Sequence, residues 1–187
     1  MNPLLLDFHH EFQTERLIIR LPKPGDGKVV YEAINASINE LKLWMPFAQK
    51  QQSEEQVEIN IREAHLLFLK REDLRLLIFH KESGEFVGSS GLHRINWDLP
   101  KFEIGYWIDS RQCGKGYMTE AVEGITKFAL EELSAKRVEI RCDAKNLRSR
   151  AIPERLGFQL EGILRKDDLS VDGTEIRDTC IYALIAK

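Results

Sequence analysis

Hydrophobic positions change period several times along the chain, and each change marks a new element. From Glu15 to Leu21, Leu17 and Ile19 alternate with Arg16, Ile18 and Arg20 until Pro22-Lys23-Pro24-Gly25 ends the run, which predicts a first strand. Asp26 stands where it can cap a helix through Val29, Val30, Ala33 and Ile34, and Asn39 to Trp44 reads as a second short helix stopped before Pro46. Ser53 and Gln56 have capping-box spacing ahead of a helical stripe of Val57, Ile61, Ala64 and Phe68. Leu74 to His80 and Phe86 to Ile95 are apolar-rich runs, and the intervening Lys81-Glu82-Ser83-Gly84-Glu85 suits a hairpin loop. Lys101 to Ile108 then supplies a third antiparallel strand. After Gly116 the period becomes helical, with Met118, Ala121, Val122, Ile125, Phe128, Ala129 and Leu133 on one side. Val138, Ile140 and Cys142 alternate again, a strand that a helical crossover would set parallel to the one before the helix. A short helix near Leu147 to Arg155, a strand from Phe158, an Asp172-Gly173 turn and a strand near Thr174 to Ile185 complete the series.

The junction at Glu103 to Met118 concentrates the candidate chemistry. Phe102, Ile104, Tyr106 and Ile108 fall on one face of the strand, with Glu103, Gly105 and Trp107 on the other. Arg111-Gln112-Cys113-Gly114-Lys115-Gly116 follows and opens the long helix. Glycines there let successive backbone N–H groups converge on an anion, and the helix start adds its partial positive charge, so the loop is a candidate phosphate cradle. The bland alternative is a tight turn that needs small residues. A Walker A loop is excluded because no Gly-Lys-Ser/Thr follows a four-residue gap, and a dinucleotide fingerprint fails because Thr119 stands where its third glycine belongs.

The 187 residues are 43% hydrophobic with no linker-like division, which suits one domain over residues 1–187. A net charge of -3 gives no broad basic footprint for nucleic acid. Met1 to His10 lack a cationic segment before Leu4 to Leu6, and no apolar run reaches membrane-spanning length, so the expectation is a cytoplasmic protein without a membrane partner. Cys113, Cys142 and Cys180 are odd in number and distant in sequence, which reads as reduced thiols, not a disulfide framework or zinc site. His9, His10, His65, His80 and His93 show no metal-ligand spacing, and no metal is expected. His65 is read as packing beside its helical stripe, His93 as a strand-surface residue, and Lys70-Arg71-Glu72-Asp73 as a solvated helix end. Gly88-Ser89-Ser90-Gly91 is not a hydrolase nucleophile elbow and reads as a tight or bulged strand stretch.

Glu103-Ile104-Gly105-Tyr106-Trp107-Ile108, the Arg-x-x-Gly-x-Gly loop and Tyr117-Met118-Thr119-Glu120-Ala121 together resemble the GNAT superfamily of N-acetyltransferases, in particular its RimJ/RimL-like branch, which acetylates ribosomal-protein N-termini. Asn146-Leu147-Arg148-Ser149 and Leu156-Gly157-Phe158 match a second family pattern at the expected spacing, and the resemblance covers roughly Thr14 to Ala186. It implies an α/β (α+β) fold with a mixed central sheet of about seven strands flanked by helices, and splayed parallel strands at the cofactor cleft. It also implies acetyl-CoA as cofactor. Trp107 and Ile108 would offer backbone groups to the pantetheine arm, and Arg111, Cys113, Gly114, Lys115, Gly116, Tyr117 and Met118 would hold the pyrophosphate. Asn146 would hydrogen-bond the cofactor and Ser149 would lie near the thioester sulfur. On the residues alone, Asn146 is equally a helix cap, Ser149 a first-turn residue and Gly157 a C-terminal cap.

The implied activity is transfer of acetyl to a primary amine. Glu103 is the candidate base, with Asp168 as rival, and Ser149 the group that assists the departing thiolate; Glu103 is otherwise a strand carboxylate paired with an arginine. Pro153 stands where many GNAT enzymes carry a tyrosine that protonates the thiolate, which rules that tyrosine out here. Cys113 replaces a glutamine common in the RimJ/RimL branch; it is either a small loop residue or a thiol made acidic by the helix start. The acceptor is a peptide or protein N-terminus or a small molecule such as an antibiotic or polyamine, and a homodimer is compatible with the pattern. A catalytically silent acyl-CoA-binding module is the alternative from another class.

Overall fold

The computed structural model describes residues 2–186, and its elements follow the predicted order with one addition. Strands are β1 (Glu11–Gln13), β2 (Leu17–Arg20), β3 (Leu74–His80), β4 (Phe86–Asn96), β5 (Lys101–Ile108), β6 (Arg137–Asp143), β7 (Gln159–Leu169) and β8 (Ile176–Ile185). Helices are α1 (Gly27–Ala36), α2 (Ile38–Leu41), α3 (Glu54–Leu69), α4 (Tyr117–Glu131) and α5 (Leu147–Arg155). The strands form one eight-stranded sheet in the order β1-β2-β3-β4-β5-β6-β8-β7. β1 is the strand beyond the expected seven: three residues are too few to show an alternation, and pairing with β2 alone makes it a strand.

Helices cover both faces. Met118, Ala121, Val122, Ile125 and Phe128 of α4 bury against Phe102, Ile104, Val138 and Ile140, while α1 and α3 bury Val30, Ile34, Val57 and Ile61 with Leu77, Phe86 and Trp107 on the opposite face. The Ser53–Gln56 capping box is present on both arms. Asp26 occupies the N-cap position of α1 without making a side-chain cap; its carboxylate is taken at 2.7 Å by both Nη atoms of Arg20 and by the N–H of Lys23.

The helix end at Lys70–Asp73 is solvated at Lys70 and Glu72 but not at Arg71. Arg71 is buried, has a left-handed φ of 63°, donates to the carbonyls of Leu6 and Phe68, and lies 4.1 Å over the ring of Phe8. The N-terminal segment folding back over this turn, distant in sequence, turns a charged run into an interior tie.

One feature of the sheet positions the site. Parallel strands β5 and β6 hold register only at Lys101–Arg137, Phe102–Val138 and Glu103–Glu139. Beyond Glu103 they part, while β5 stays paired with β4 up to Ile108 and β6 with β8 up to Asp143. Each strand therefore keeps its outer partner and leaves an inner edge open.

Candidate active site

The glycine loop fits an anion. Gly114 and Gly116 have φ of 77° and 81°, a region that costs a side-chain-bearing residue about 1–2 kcal/mol. The N–H groups of Gly114, Lys115, Gly116, Tyr117, Met118 and Thr119 make no hydrogen bond among the described residues, and α4 first closes with Glu120 N–H on Gly116 O. An uninterrupted row of free donors at a helix start is a strong anion site. Arg16 on the neighbouring strand end braces it: Nη1 donates to Lys115 O at 3.0 Å, Nε meets Glu120 at 2.7 Å, and the guanidinium lies 4.7 Å over the Tyr117 ring. Arg111 and Cys113 contribute less than expected. Arg111 spends both its N–H and its guanidinium on the buried carboxylate of Asp109, and Cys113 N–H is given to Ser110 O. Partial burial pushes the Cys113 thiol up, and Arg148 pulls the other way as the weaker influence.

Where β5 and β6 part there is a cleft of about 770 Å³, walled by Glu103, Tyr106, Cys142, Asn146, Ser149 and Asp168 among others. Asp109 N–H bonds Val87 O, so by strand alternation Gly105 and Trp107 turn their backbone groups toward β4, and Tyr106 and Ile108 turn theirs into the gap. Of the two residues expected to offer backbone groups there, Ile108 does so, whereas Trp107 supplies its ring to a neighbouring wall.

Glu103 is largely enclosed, with 20% of its side chain exposed, and Arg94 is 3.6 Å away. Burial raises its pKa, opposed by the attraction of Arg94 and Arg141. Asp168 lies on the same cleft but on exposed β7, where its Oδ1 accepts the N–H of Leu169 at 2.8 Å. Asn146 caps α5 by accepting the N–H of Ser149 at 3.1 Å.

Ser149 is held by a residue the sequence did not single out. Pro153 has no N–H to give the carbonyl of Ser149 four residues earlier, and the hydroxyl of Tyr106 donates to that carbonyl at 2.7 Å instead. The Ser149 Oγ also donates to Tyr106 Oη, at 3.3 Å. Burial drives the Tyr106 phenol above its ordinary range. The available signal was a tyrosine on an otherwise apolar strand face, whose buried hydroxyl needs a partner. Cys142 and Cys180, far apart in sequence, are register partners on β6 and β8; both are free thiols, and burial pushes Cys142 up to about 11.

On the α1/α3 face a second cavity of about 420 Å³ adjoins the cleft, with Met45, Gly105 and Tyr106 common to both. Phe47, Trp107, Arg75, Ser89 and His93 line it. His93 is tied to Asp73 at 2.7 Å, so it is a paired pocket residue and not a free strand-surface one, and His65 Nδ1 lies 2.7 Å from Pro22 O. Ser89 and Ser90 are buried within β4, where Ser90 donates to Gly105 O at 2.8 Å. A Cβ on Gly88 would meet Trp107 O at 2.4 Å, which explains the glycine by close strand packing. Among the described residues no group of three or more His, Cys, Asp and Glu is placed to hold a metal ion, and no helix is long and apolar enough to cross a membrane.

Comparison with known proteins agrees with this geometry. Residues 16–159 match the family model described as an acetyltransferase (GNAT) domain. The chain is 32% identical to the "Putative ribosomal N-acetyltransferase YdaF" of Bacillus subtilis (strain 168), covering 93% of each chain. It is 27% identical to the ribosomal-protein-serine acetyltransferase of Escherichia coli (strain K12), over 92% of this chain and 94% of the other. Among solved structures, the microcin C7 self-immunity acetyltransferase MccE, in complex with acetyl-CoA and AMP, has the same fold with a TM-score of 0.84 at 23% identity, covering 92% of this chain and 94% of that one.

Proposed function

The chain belongs to the GNAT acetyltransferase family, and from that premise we propose that it transfers the acetyl group of acetyl-CoA to the α-amine of a peptide or protein. The observation that carries this reading is the succession of two unsatisfied surfaces along the chain: the opened inner edge of β5 is followed, a few residues on, by the free N–H row from Gly114 to Thr119. The row suits a pyrophosphate, and the strand edge at Tyr106 and Ile108 suits an amide-bearing arm lying as an extra strand. Acetyl-CoA, when bound, supplies a thioester activated for attack by an amine.

The residues around that cleft divide the remaining work. An attacking amine must shed a proton, and Glu103, whose pKa burial raises toward the working range, is the base that receives it, directly or through water. Ser149, on the cleft wall, assists a sulfur gaining negative charge by turning toward it the single hydroxyl hydrogen that it otherwise gives to Tyr106 Oη. Asp168 on the exposed rim is the rival base. An α-amine, with a pKa near ~8 against ~10.4 for lysine, needs less help to deprotonate, and relatives named for ribosomal-protein acetylation support that acceptor class. A cytoplasmic setting accords with three free thiols.

The test is acetyl-CoA-dependent thiol release across a panel of N-terminal peptides, lysine side-chain peptides and small amines, with products weighed by mass spectrometry. Acetylated peptide N-termini are the expected product. Thiol release with small amines alone would move the acceptor assignment, and no release with any amine would leave a silent acyl-CoA-binding module.

A further inference from the structure

Among the described residues, the acceptor side of the site contains a cation that no carboxylate touches. Arg75 on β3 lines the smaller cavity, with Nε donating to Ser89 Oγ at 3.1 Å and Nη1 to Asn60 Oδ1 at 2.6 Å. Both partners are neutral. Asp73, the nearest acid in sequence, attracts Arg75 from a distance but is in hydrogen-bond contact with His93 instead. The other arginines near the cleft are matched: Arg94 with Glu103, Arg141 with Glu139 and Asp167, Arg177 with Asp143 and Glu175. The second Nη of Arg75 has no hydrogen-bond partner among the described residues and is not sealed off, and Arg75 lines the cavity. A guanidinium taken from water without a counter-ion is unfavourable unless something anionic arrives to pair with it.

The sheet lays a path from this arginine to the reacting edge. Arg75 is the register partner of Gly91, and Gly91 of Gly105, so the row from β3 to β5 bears no side chain of its own between Arg75 and the open strand edge, and the imidazole of His93 is the neighbour that lies against its two glycines. A Cβ on Gly91 would lie 2.6 Å from Leu74 O, so the gap is built in. Phe47 and Trp107 wall the trough. Two strand spacings separate Arg75 from Gly105, roughly 10 Å, which an extended peptide covers in about three residues.

We infer that the acceptor carries an acidic group close to its amine, and that Arg75 receives that carboxylate at the far end of the glycine trough while the amine lies at the cleft by Glu103. This rests on the acetyl-transfer reading for the position of the amine, and it names the acceptor class: peptide N-termini with Asp or Glu at the second or third position, free acidic amino acids being too short for the span.

Binding separates this inference from the transfer reading. Peptides beginning with serine and carrying Asp or Glu at the second or third position are compared with their Asn or Gln counterparts, with free glutamate and aspartate as controls too short to bridge the two points, by calorimetry in the presence of CoA. Wild-type protein should bind the acidic members at least about tenfold more tightly, and Arg75→Gln should bring the ratio to within about twofold while Arg75→Lys retains part of it. The kcat/KM ratios should follow. Equal binding of acidic and neutral members by the wild type, or a preference that survives Arg75→Gln, overturns the inference. The wild-type comparison needs no variant to fold. Acidic preference in binding without acetylation would sink the transfer reading alone and leave the assignment of Arg75 standing.

Discussion

Removing the Tyr106 hydroxyl tests whether one tyrosine replaces the hydrogen bond that Pro153 deletes from α5. The Ser149 carbonyl would ordinarily accept from the residue four places on; proline offers nothing, and Tyr106 Oη fills the place at 2.7 Å. Tyr106→Phe leaves a part-buried carbonyl without its donor, which costs about 2 kcal/mol. For a chain of this size that is a fall in Tm of roughly 4–8 °C. Substitution at Pro153 supplies the diagnostic. Pro153→Ala provides an N–H four residues after Ser149, so when combined with Tyr106→Phe it should recover stability that it does not give in the wild type. Denaturant unfolding of the wild type, both single variants and the double variant gives the coupling, expected at about 1–2 kcal/mol in favour of the double variant. Additivity within about 0.5 kcal/mol would mean that the hydroxyl and the missing N–H do not serve the same carbonyl, and the account of α5 would fall. Turnover should move with stability: Tyr106→Phe loosens Ser149 and should lower kcat more than it raises KM, with Pro153→Ala restoring part of it.

Four further outcomes follow from the site. Glu103→Gln should reduce turnover by about a hundredfold or more with CoA affinity nearly unchanged, and should remove the acid limb of the pH–rate profile; if it retains wild-type turnover while Asp168→Asn abolishes it, the base is Asp168. The same variant should be more stable than wild type at neutral pH: a carboxyl whose folded pKa is raised binds its proton more tightly in the native state, so its stabilising contribution is lost as pH rises from the unfolded value through the folded one. Gly114→Glu, which sets a side chain at a positive φ and puts negative charge on the free N–H row, should abolish the thermal stabilisation by acetyl-CoA, worth about 2.7 kcal/mol at a hundredfold excess over Kd; an unchanged shift in a folded variant would remove the loop from the cofactor site. Cys142, its thiol at about 11 in the cleft wall, should alkylate slowly at neutral pH and faster as pH rises, and bound CoA should protect it; rapid neutral labelling of Cys142, followed by peptide mass mapping, would contradict its burial.

Local chemistry was legible in the sequence because it is local. Period-two runs and helical stripes mark nearly every element, the Ser53–Gln56 box caps α3 from residues three apart, and the left-handed glycines at Gly114 and Gly116 mark a loop whose free amides depend on backbone shape alone. The resemblance to GNAT enzymes likewise rested on contiguous motifs. What tertiary structure decided is which distant groups meet. β8 enters between β6 and β7, and register then sets Cys180 against Cys142. The early loss of β5–β6 pairing creates the cleft, and nothing in the residues of either strand alone sets where they part. Arg71 became interior because the N-terminal segment returned over it, and Arg16 reached the glycine loop across the fold. Tyr106 and Ser149 are brought together because β5 and α5 face one gap, and an apolar-face tyrosine and a helix proline then complete each other. Propensity and periodicity act over a few residues, whereas partnership of buried polar groups is set by packing between elements, so the elements could be read along the chain and their pairings only across it.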